Sequence, residues 1–248
     1  MNLLVIDIGN SRCKSCFGNV NEGFPKQTLD EVNWKDIENH FRHFSTFDVC
    51  MISSVNLAAT QLARKALEKK VASNNLVFLN SKNSPIPLAV ENSETLGADR
   101  IAAAMGAHLR VQSQAIVIDS GTAVTIDRID DKGAFQGGTI FPGIALSLNS
   151  LGTGTSKLPH LGEKEFSVPE LPGRNTQDAI LAGVFYSHLG AAEKIAALLQ
   201  SEFGEMPVLT TGGNGKWITQ YANVESQYCE SLVLEGLWHM GVQRLKAS

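Results

Sequence analysis

The chain carries one short pattern twice, and this repeat limits the available folds more than any other feature. "LLVIDIGNSRCKSCFG" begins at Leu3 and "AIVIDSGTAVTIDRID" at Ala115. Each runs as an apolar stretch into an aspartate, makes a V-I-D-x-G turn followed by a small polar residue, and resumes as a second stretch. Apolar runs punctuated by small turn residues read as strands joined in hairpins. Asp7 and Asp119 lie 112 residues apart in a chain of 248. Two such hairpins half a chain apart predict two related α/β halves, 1–113 and 114–248, joined near Gln112–Gln114.

The segments between the hairpins fit that reading. Asn33–Phe44 is expected as a short helix and Val49–Ser53 as a buried strand. Asn56–Ala72 is expected as a helix with Leu57, Leu62, Ala66 and Leu67 on its apolar side. Leu76–Leu79 reads as a strand and Thr95–Arg110 as a helix rich in Ala and Ile. In the second half "GAFQGGTIFPG" is a strand with a turn at Pro142–Gly143, and "LGTGTSKLP" from Leu151 is expected as a loop. Asn175–Leu199 is a long helix with an Asn/Thr cap and Asp178 in its first turn. "MPVLTTGGNGKWI" reads as strand, glycine turn and helix, and Ser231–Lys246 as a closing helix.

Composition excludes several classes of function. The chain is 43% hydrophobic and 19% charged, with net charge -4 and a pI near 5.9. No stripe of Lys and Arg offers a nucleic-acid footprint. "NLLVI" is too short for a signal peptide or a membrane span, so a cytoplasmic protein with no membrane partner is expected. Cys13 and Cys16 have C-x-x-C spacing, but i and i+3 on a strand point to opposite faces. No second Cys or His pair stands nearby, so the four cysteines are expected to be structural thiols. His40 and His43 are expected on a solvated helix face.

Three turns, "DIGNSRCK", "DSGTAVT" and "LTTGGNG", share one design. Each follows an apolar strand and offers small residues, so backbone N–H groups and hydroxyls can approach phosphate oxygens. Lys14 or Arg12 can add positive charge, and Asp7 and Asp119 can orient hydrated Mg²⁺ or another cation. Neither G-x-x-x-x-G-K-[ST] nor a post-strand G-x-G-x-x-G is present. A single D-x-G turn is most often only a turn. Two in register with a duplication, and a third after a late strand, point to two lobes gripping a nucleotide in a cleft.

Six motifs then appear in order: D-x-G-N-[ST]-x-x-K at Asp7–Lys14, G-x-D-R at Gly97–Arg100, D-x-G-T-A-x-T-x-D at Asp119–Asp127, G-G-x-I-x-P-G at Gly137–Gly143, N-T-x-x-A-x-x-x-G at Asn175–Gly183 and T-G-G at Thr211–Gly213. The ordered set resembles the type III pantothenate kinases of the actin/sugar-kinase/Hsp70-like superfamily over nearly the whole chain. The resemblance implies two duplicated ribonuclease-H-like (actin-like ATPase) lobes with mixed sheets. It implies ATP-dependent phosphorylation of pantothenate, the first step of coenzyme A biosynthesis, by a homodimer using Mg²⁺ and a monovalent cation, K⁺ or NH₄⁺. Asp7, Ile8, Gly9, Asn10, Ser11, Arg12, Cys13 and Lys14 would form the first ATP hairpin, with Thr122 in the second. Gly97, Ala98, Asp99 and Arg100 would hold pantothenate, Asp99 as general base and Arg100 as anchor. Thr176 matches a substrate-contacting threonine, and Asp119 the monovalent-cation position.

The chain departs from the family at "VENSETLG", where Val90 and Ser93 replace the Tyr and Pro of a Y-x-x-P-x-x-L-G pattern; that Tyr is associated with the substrate pocket. Without the other motifs, "GADR" reads equally well as an exposed Asp-Arg pair at a helix start. Two other functions are open to these residues: another small-molecule kinase of the same fold, or a nucleotide-binding regulator without catalysis.

Overall fold

The computed structural model describes residues 1–25, 30–42, 44, 46–162 and 168–247, and of these the side chains of all but 30, 34 and 247. His43 lies outside the described residues. Compact packing groups Met1–Ala115, Ile129–Gly137 and Ser231–Ser248 into one unit and Ile116–Arg128 with Gly138–Glu230 into another.

In the first unit β1 (Asn2–Ile8) pairs antiparallel with β2 (Arg12–Asn19), and β2 antiparallel with β3 (Asp30–Asn33). On its other side β1 pairs parallel with β4 (Val49–Ser54), and β4 parallel with β5 (Leu76–Phe78). Alternation along β1 sends Leu4, Ile6 and Ile8 into a core with Ile37 and Phe41 of α1 (Ile37–Arg42) and Ala59, Ala63 and Leu67 of α2 (Leu57–Leu67). Two of the expected helices are shorter than their patterns suggested. Asn33 still belongs to β3, and a 3₁₀ turn, Trp34–Asp36, precedes α1. Helix α2 stops at Leu67, and its buried positions are spaced by four residues from Ala59, so Leu57 at its first position is 86% exposed.

The opposite face of this sheet is covered by α7 (Leu232–Ala247), which packs on β1, β4 and α3 (Ala98–Val111). The two helices approach until their backbones nearly touch. A Cβ on Gly236 would overlap Ala102 O, and one on Gly106 would overlap Leu232 O. Arg110 then closes the pair, donating to Glu235 through Nε at 2.7 Å and Nη2 at 2.6 Å. This contact explains why the last helix of the chain belongs to the first compact unit.

A second sheet is built from β6 (Ala115–Ser120), β7 (Ala123–Ile129), β8 (Phe135–Pro142), β9 (Val208–Thr211) and β10 (Gln227–Tyr228), in the order β10-β9-β6-β7-β8; most of it lies in the second unit, while the start of β8, Phe135–Gly137, groups with the first. Read from the β8 end, this is the order β3-β2-β1-β4-β5 of the first sheet. The duplication expected from the two V-I-D-x-G hairpins is therefore present as topology. Ile116, Ile118, Val124 and Ile126 pack with Ala192 and Ala196 of α5 (Thr176–Phe203) and Ile218 of α6 (Gly215–Tyr221).

The expected loop from Leu151 to Pro159 is corrected over its first four residues only; Thr155–Pro159 is irregular, as expected. α4 runs Ile144–Gly154, through the Gly/Thr stretch. Ile144 and Leu148 pack against Ile180 and Val184, which holds the helix in place. The threonine hydroxyls fold back, Thr153 Oγ1 donating to Asn149 O at 2.9 Å and Thr155 Oγ1 to Leu151 O at 2.8 Å. Tertiary burial outweighs the poor helix propensity of Gly and Thr here.

Candidate active site

The first hairpin turns within four residues, Gly9 N donating to Arg12 O at 2.9 Å. A side chain at Gly9 would crowd Arg12 O at 3.3 Å. Asn10 and Ser11 are exposed, so the turn presents backbone and small polar groups. Ile8 and Cys13 behave differently: both side chains lie in the core, at 0% and 1% exposure. Burial, and then the nearby Asp7 charge, pushes the Cys13 thiol up to about 12, and burial raises Cys50 as well. These are structural thiols, as are buried Cys16 and Cys229, all four unbridged.

Strand register builds a polar row that the sequence does not reveal. Glu31 on β3 stands opposite Lys14 on β2, Lys14 opposite Asp7 on β1, and Asp7 opposite Ser53 on β4. Paired residues share a sheet face, so four strands contribute acid, base, acid and hydroxyl in line. Ser53 is fully buried and its Oγ has no hydrogen-bond partner. Glu31 is ion-paired with Arg12 and lies 3.9 Å from Lys14 Nζ. A groove beside this turn is lined by Ser11, Arg12, Glu31, Val32 and Asn33.

The G-x-D-R motif opens α3. Gly97 is its N-cap without a side-chain cap bond, and a Cβ there would overlap Asp99 Oδ1. Asp99 Oδ1 accepts from Arg100 N at 2.8 Å. Burial raises the Asp99 carboxyl above its ordinary range, opposed by the N–H and the charge of Arg100. The Arg100 guanidinium lies 5.2 Å from the Phe135 ring centroid. Phe135 is itself clamped, its N–H donating to Pro87 O and its carbonyl accepting from Ala89 N, both at 2.9 Å. The next residues bring Val90 to Gly137, where an added Cβ would sit 3.6 Å from Val90 Cγ1. Val90, Asp99 and Arg100 are thus tied to one locality around Phe135. Phe135 is the member sequence reading missed, because nothing local links it to Arg100, 35 positions earlier.

In the second unit three turns meet. Gly121 N donates to Ala123 O at 3.0 Å within the hairpin, Gly143 N to Thr122 O at 2.9 Å, and Asn214 N to Ser120 O at 2.9 Å. Glycine is required twice. A Cβ on Gly143 would overlap Gly121 O and sit 2.7 Å from Thr122 O. Gly212 has φ +83°, and a Cβ there would overlap Asp119 Oδ1 and lie 2.6 Å from Ser120 O. Asp119 is partly buried beside that cradle, while Thr122 is exposed. Thr176 is the first residue of α5, exposed, behind the Asn175 cap whose Oδ1 accepts from Asp178 N at 2.9 Å. The expected cap and first-turn acid are both present.

Among the described residues, no three His, Cys, Asp or Glu side chains cluster as a metal cage, and no helix is long and apolar enough to cross a membrane. One or two carboxylates with substrate phosphates are the usual setting for Mg²⁺, and Asp7, near the end of β1 beside the first turn, is a carboxylate of that kind. Asp119 Oδ1 and the Ser120 carbonyl, bordering the space Gly212 leaves open, are oxygen donors suited to a hard cation.

Comparisons with known proteins bear on the fold and the family. A solved structure from Campylobacter jejuni, assigned to the Baf family of transcriptional activators, matches with TM-score 0.61 at 22% identity, covering 99% of this chain and 100% of that one. An inorganic polyphosphate/ATP-glucomannokinase from Arthrobacter sp. strain KM matches with TM-score 0.51 at 13% identity, covering 98% and 99%. At those identities they establish an actin-like, sugar-kinase-like fold and no more. A type III pantothenate kinase of Porphyromonas gingivalis is 32% identical over 238 residues, 94% of this chain and 95% of its own. The family model described as type III pantothenate kinase matches residues 3–198, and the chain belongs to that family.

Proposed function

We propose that this chain transfers the γ-phosphoryl group of ATP to the primary hydroxyl of pantothenate, giving 4′-phosphopantothenate and ADP, the first step toward coenzyme A. Family membership and the kinase-like fold support the reaction. The observation that carries the site assignment is Asp99: a carboxylate raised by burial, beside a guanidinium, at the start of α3.

Phosphoryl transfer is chiefly positioning and charge stabilisation. ATP with Mg²⁺ supplies the electrophilic phosphorus and the leaving group. Asp99 accepts the hydroxyl proton as the new O–P bond forms and the bond to the ADP oxygen breaks; the proton then passes to solvent. A base whose proton affinity is raised toward neutrality is better matched to that task than an ordinary aspartate. Arg100 offers paired N–H donors to the pantothenate carboxylate, a geometry Lys does not reproduce. Thr176 contacts the substrate, and Val90 shapes its pocket in place of the aromatic residue of relatives.

The residues Asp7 to Lys14 bind ATP through the backbone of the turn and the cations Arg12 and Lys14, Ile8 and Cys13 taking part by backbone alone. Thr122 binds it from the second hairpin, and Asp119 holds K⁺ or NH₄⁺. As sequence repeats the duplicated halves run 1–113 and 114–248, although the segments 129–137 and 231–248 of the second half pack within the first compact unit. The enzyme acts in the cytoplasm as a homodimer, with small-molecule substrates and no nucleic-acid or membrane partner. A coupled ADP-release assay with ATP, Mg²⁺ and pantothenate, in K⁺ and again in Na⁺, tests this. Turnover that needs pantothenate and rises sharply in K⁺ is expected. No turnover from folded protein in either salt refutes the kinase assignment, and equal turnover in both refutes the role of Asp119.

A further inference from the structure

We propose that His188 is a positioning residue for the nucleotide turn at Gly121–Thr122, acting through the Pro142–Gly143 peptide. The inference rests on the reading of Thr122 as an ATP-binding residue. His188 lies in the middle of α5, 6% exposed. Both of its ring nitrogens face backbone carbonyls: Nε2 is 2.9 Å from Pro142 O, and Nδ1 is 2.6 Å from Val184 O. The Phe141 ring packs at 5.7 Å between centroids, closing one side. Ser147 Oγ also approaches Pro142 O, at 3.5 Å, a length at which little hydrogen-bond strength remains.

The next residue after Pro142 makes the connection. Gly143 N donates to Thr122 O, and Gly143 is so close to Gly121 and Thr122 that no side chain fits between. The β8–α4 turn is therefore the bed on which the second phosphate turn rests, and beside the apolar packing of Ile144 and Leu148 on α5, His188 adds a polar tie from that helix to the turn. Buried polar side chains in mid-helix are expensive unless satisfied. Val184 O already lies within the helix, so the bond to Pro142 O is the one that reaches a functional element. An apolar residue would serve simple packing at this position as well.

The two ring nitrogens can be separated by substitution. A Gln amide nitrogen stands as many bonds from Cβ as His Nε2, and an Asn amide nitrogen as many as Nδ1. His188→Gln therefore keeps a donor for Pro142 O, whereas His188→Asn keeps only the local contact to Val184 O. With thermal unfolding and circular dichroism as folding controls, KM for ATP and for pantothenate would be measured for both variants and for Thr122→Ala. His188→Asn is expected to raise KM for ATP about 3- to 10-fold, the worth of one hydrogen bond, with KM for pantothenate unchanged. His188→Gln is expected to restore KM for ATP to within about twofold. Equal effects of Asn and Gln, or equal rises in both KM values, overturn the positioning role while a raised KM in Thr122→Ala keeps the nucleotide reading intact. An unchanged KM for ATP in Thr122→Ala overturns that reading, and this inference with it. A measurement on the wild-type protein needs no folded variant: long-range ¹⁵N–¹H spectra of histidine-labelled enzyme should show a hydrogen on His188 Nε2 protected from exchange. A bare Nε2 refutes the bond to Pro142 O.

Discussion

Gly212→Ala tests both the fold and the proposed site. At φ +83° an L-residue is strained, at a cost of about 1–2 kcal/mol. At the usual conversion for a chain of this size, that alone lowers the melting temperature by about 2–8 °C. The added methyl would also overlap the side-chain oxygen Asp119 Oδ1 and lie 2.6 Å from the backbone carbonyl Ser120 O, both at the end of β6. The carboxylate and the 120–121 peptide must shift together, and with them the oxygens proposed to hold the monovalent cation. The expected phenotype combines a modest thermal loss with a larger loss of K⁺ activation, read as the ratio of turnover in K⁺ to turnover in Na⁺. Melting curves by calorimetry and the coupled assay in both salts measure the two effects. Wild-type melting together with wild-type K⁺ activation would show that neither the strain nor the cradle is real.

Asp99→Asn should lower kcat by about 10²- to 10⁴-fold while nucleotide affinity, by equilibrium dialysis, stays close to wild type. The sign of the stability effect is also set. A carboxyl raised in the folded state costs stability as pH rises from its unfolded to its folded value, so the Asn variant should melt no lower than wild type near neutrality. The acid limb of kcat/KM should lie above that of an ordinary aspartate, and Arg100→Ala should move it higher, because Arg100 opposes the shift. Glu235 has the opposite behaviour: burial would raise it, but hydrogen bonds from Arg110 and Ser231 outweigh burial and hold it low. Its contribution is present above the unfolded value and disappears as pH falls through the folded one. Glu235→Gln should thus cost about 1 kcal/mol in urea melts near pH 7, and the cost should shrink steadily as pH falls below the ordinary glutamate range. Gly190 is exposed inside α5 with open space around its Cβ position, so Gly190→Ala should stabilise by about 0.5–1 kcal/mol; a loss would mean that α5 is not helical there.

The hairpins were readable because alternation and glycine turns are local signals. Leu3–Ile8 and Ala115–Ser120 needed no partner to be recognised as buried strands, and the small residues after Asp7 and Asp119 needed no partner to be recognised as turns. Errors arose where burial by distant elements outweighed local preference. Leu151–Gly154 is helical because Leu148 and Ile144 are buried against α5, a contact absent from the local composition. Leu57 is exposed because the buried face of α2 begins at Ala59.

The candidate site divides in the same way. By itself the sequence determined the strand-turn motifs, the residue types at Asp7, Asp99, Arg100 and Asp119, and through their order the family, because chemistry bound to a turn or a helix start is written in consecutive letters. Only the tertiary structure decided that Glu31, Lys14, Asp7 and Ser53 form one row, that Phe135 lies under Arg100, that Ile8 and Cys13 face inward, and that α7 returns to the first unit. Register, burial and helix docking are properties of pairs of segments far apart in the chain, set by the free energy of packing them together, and no single segment carries that information.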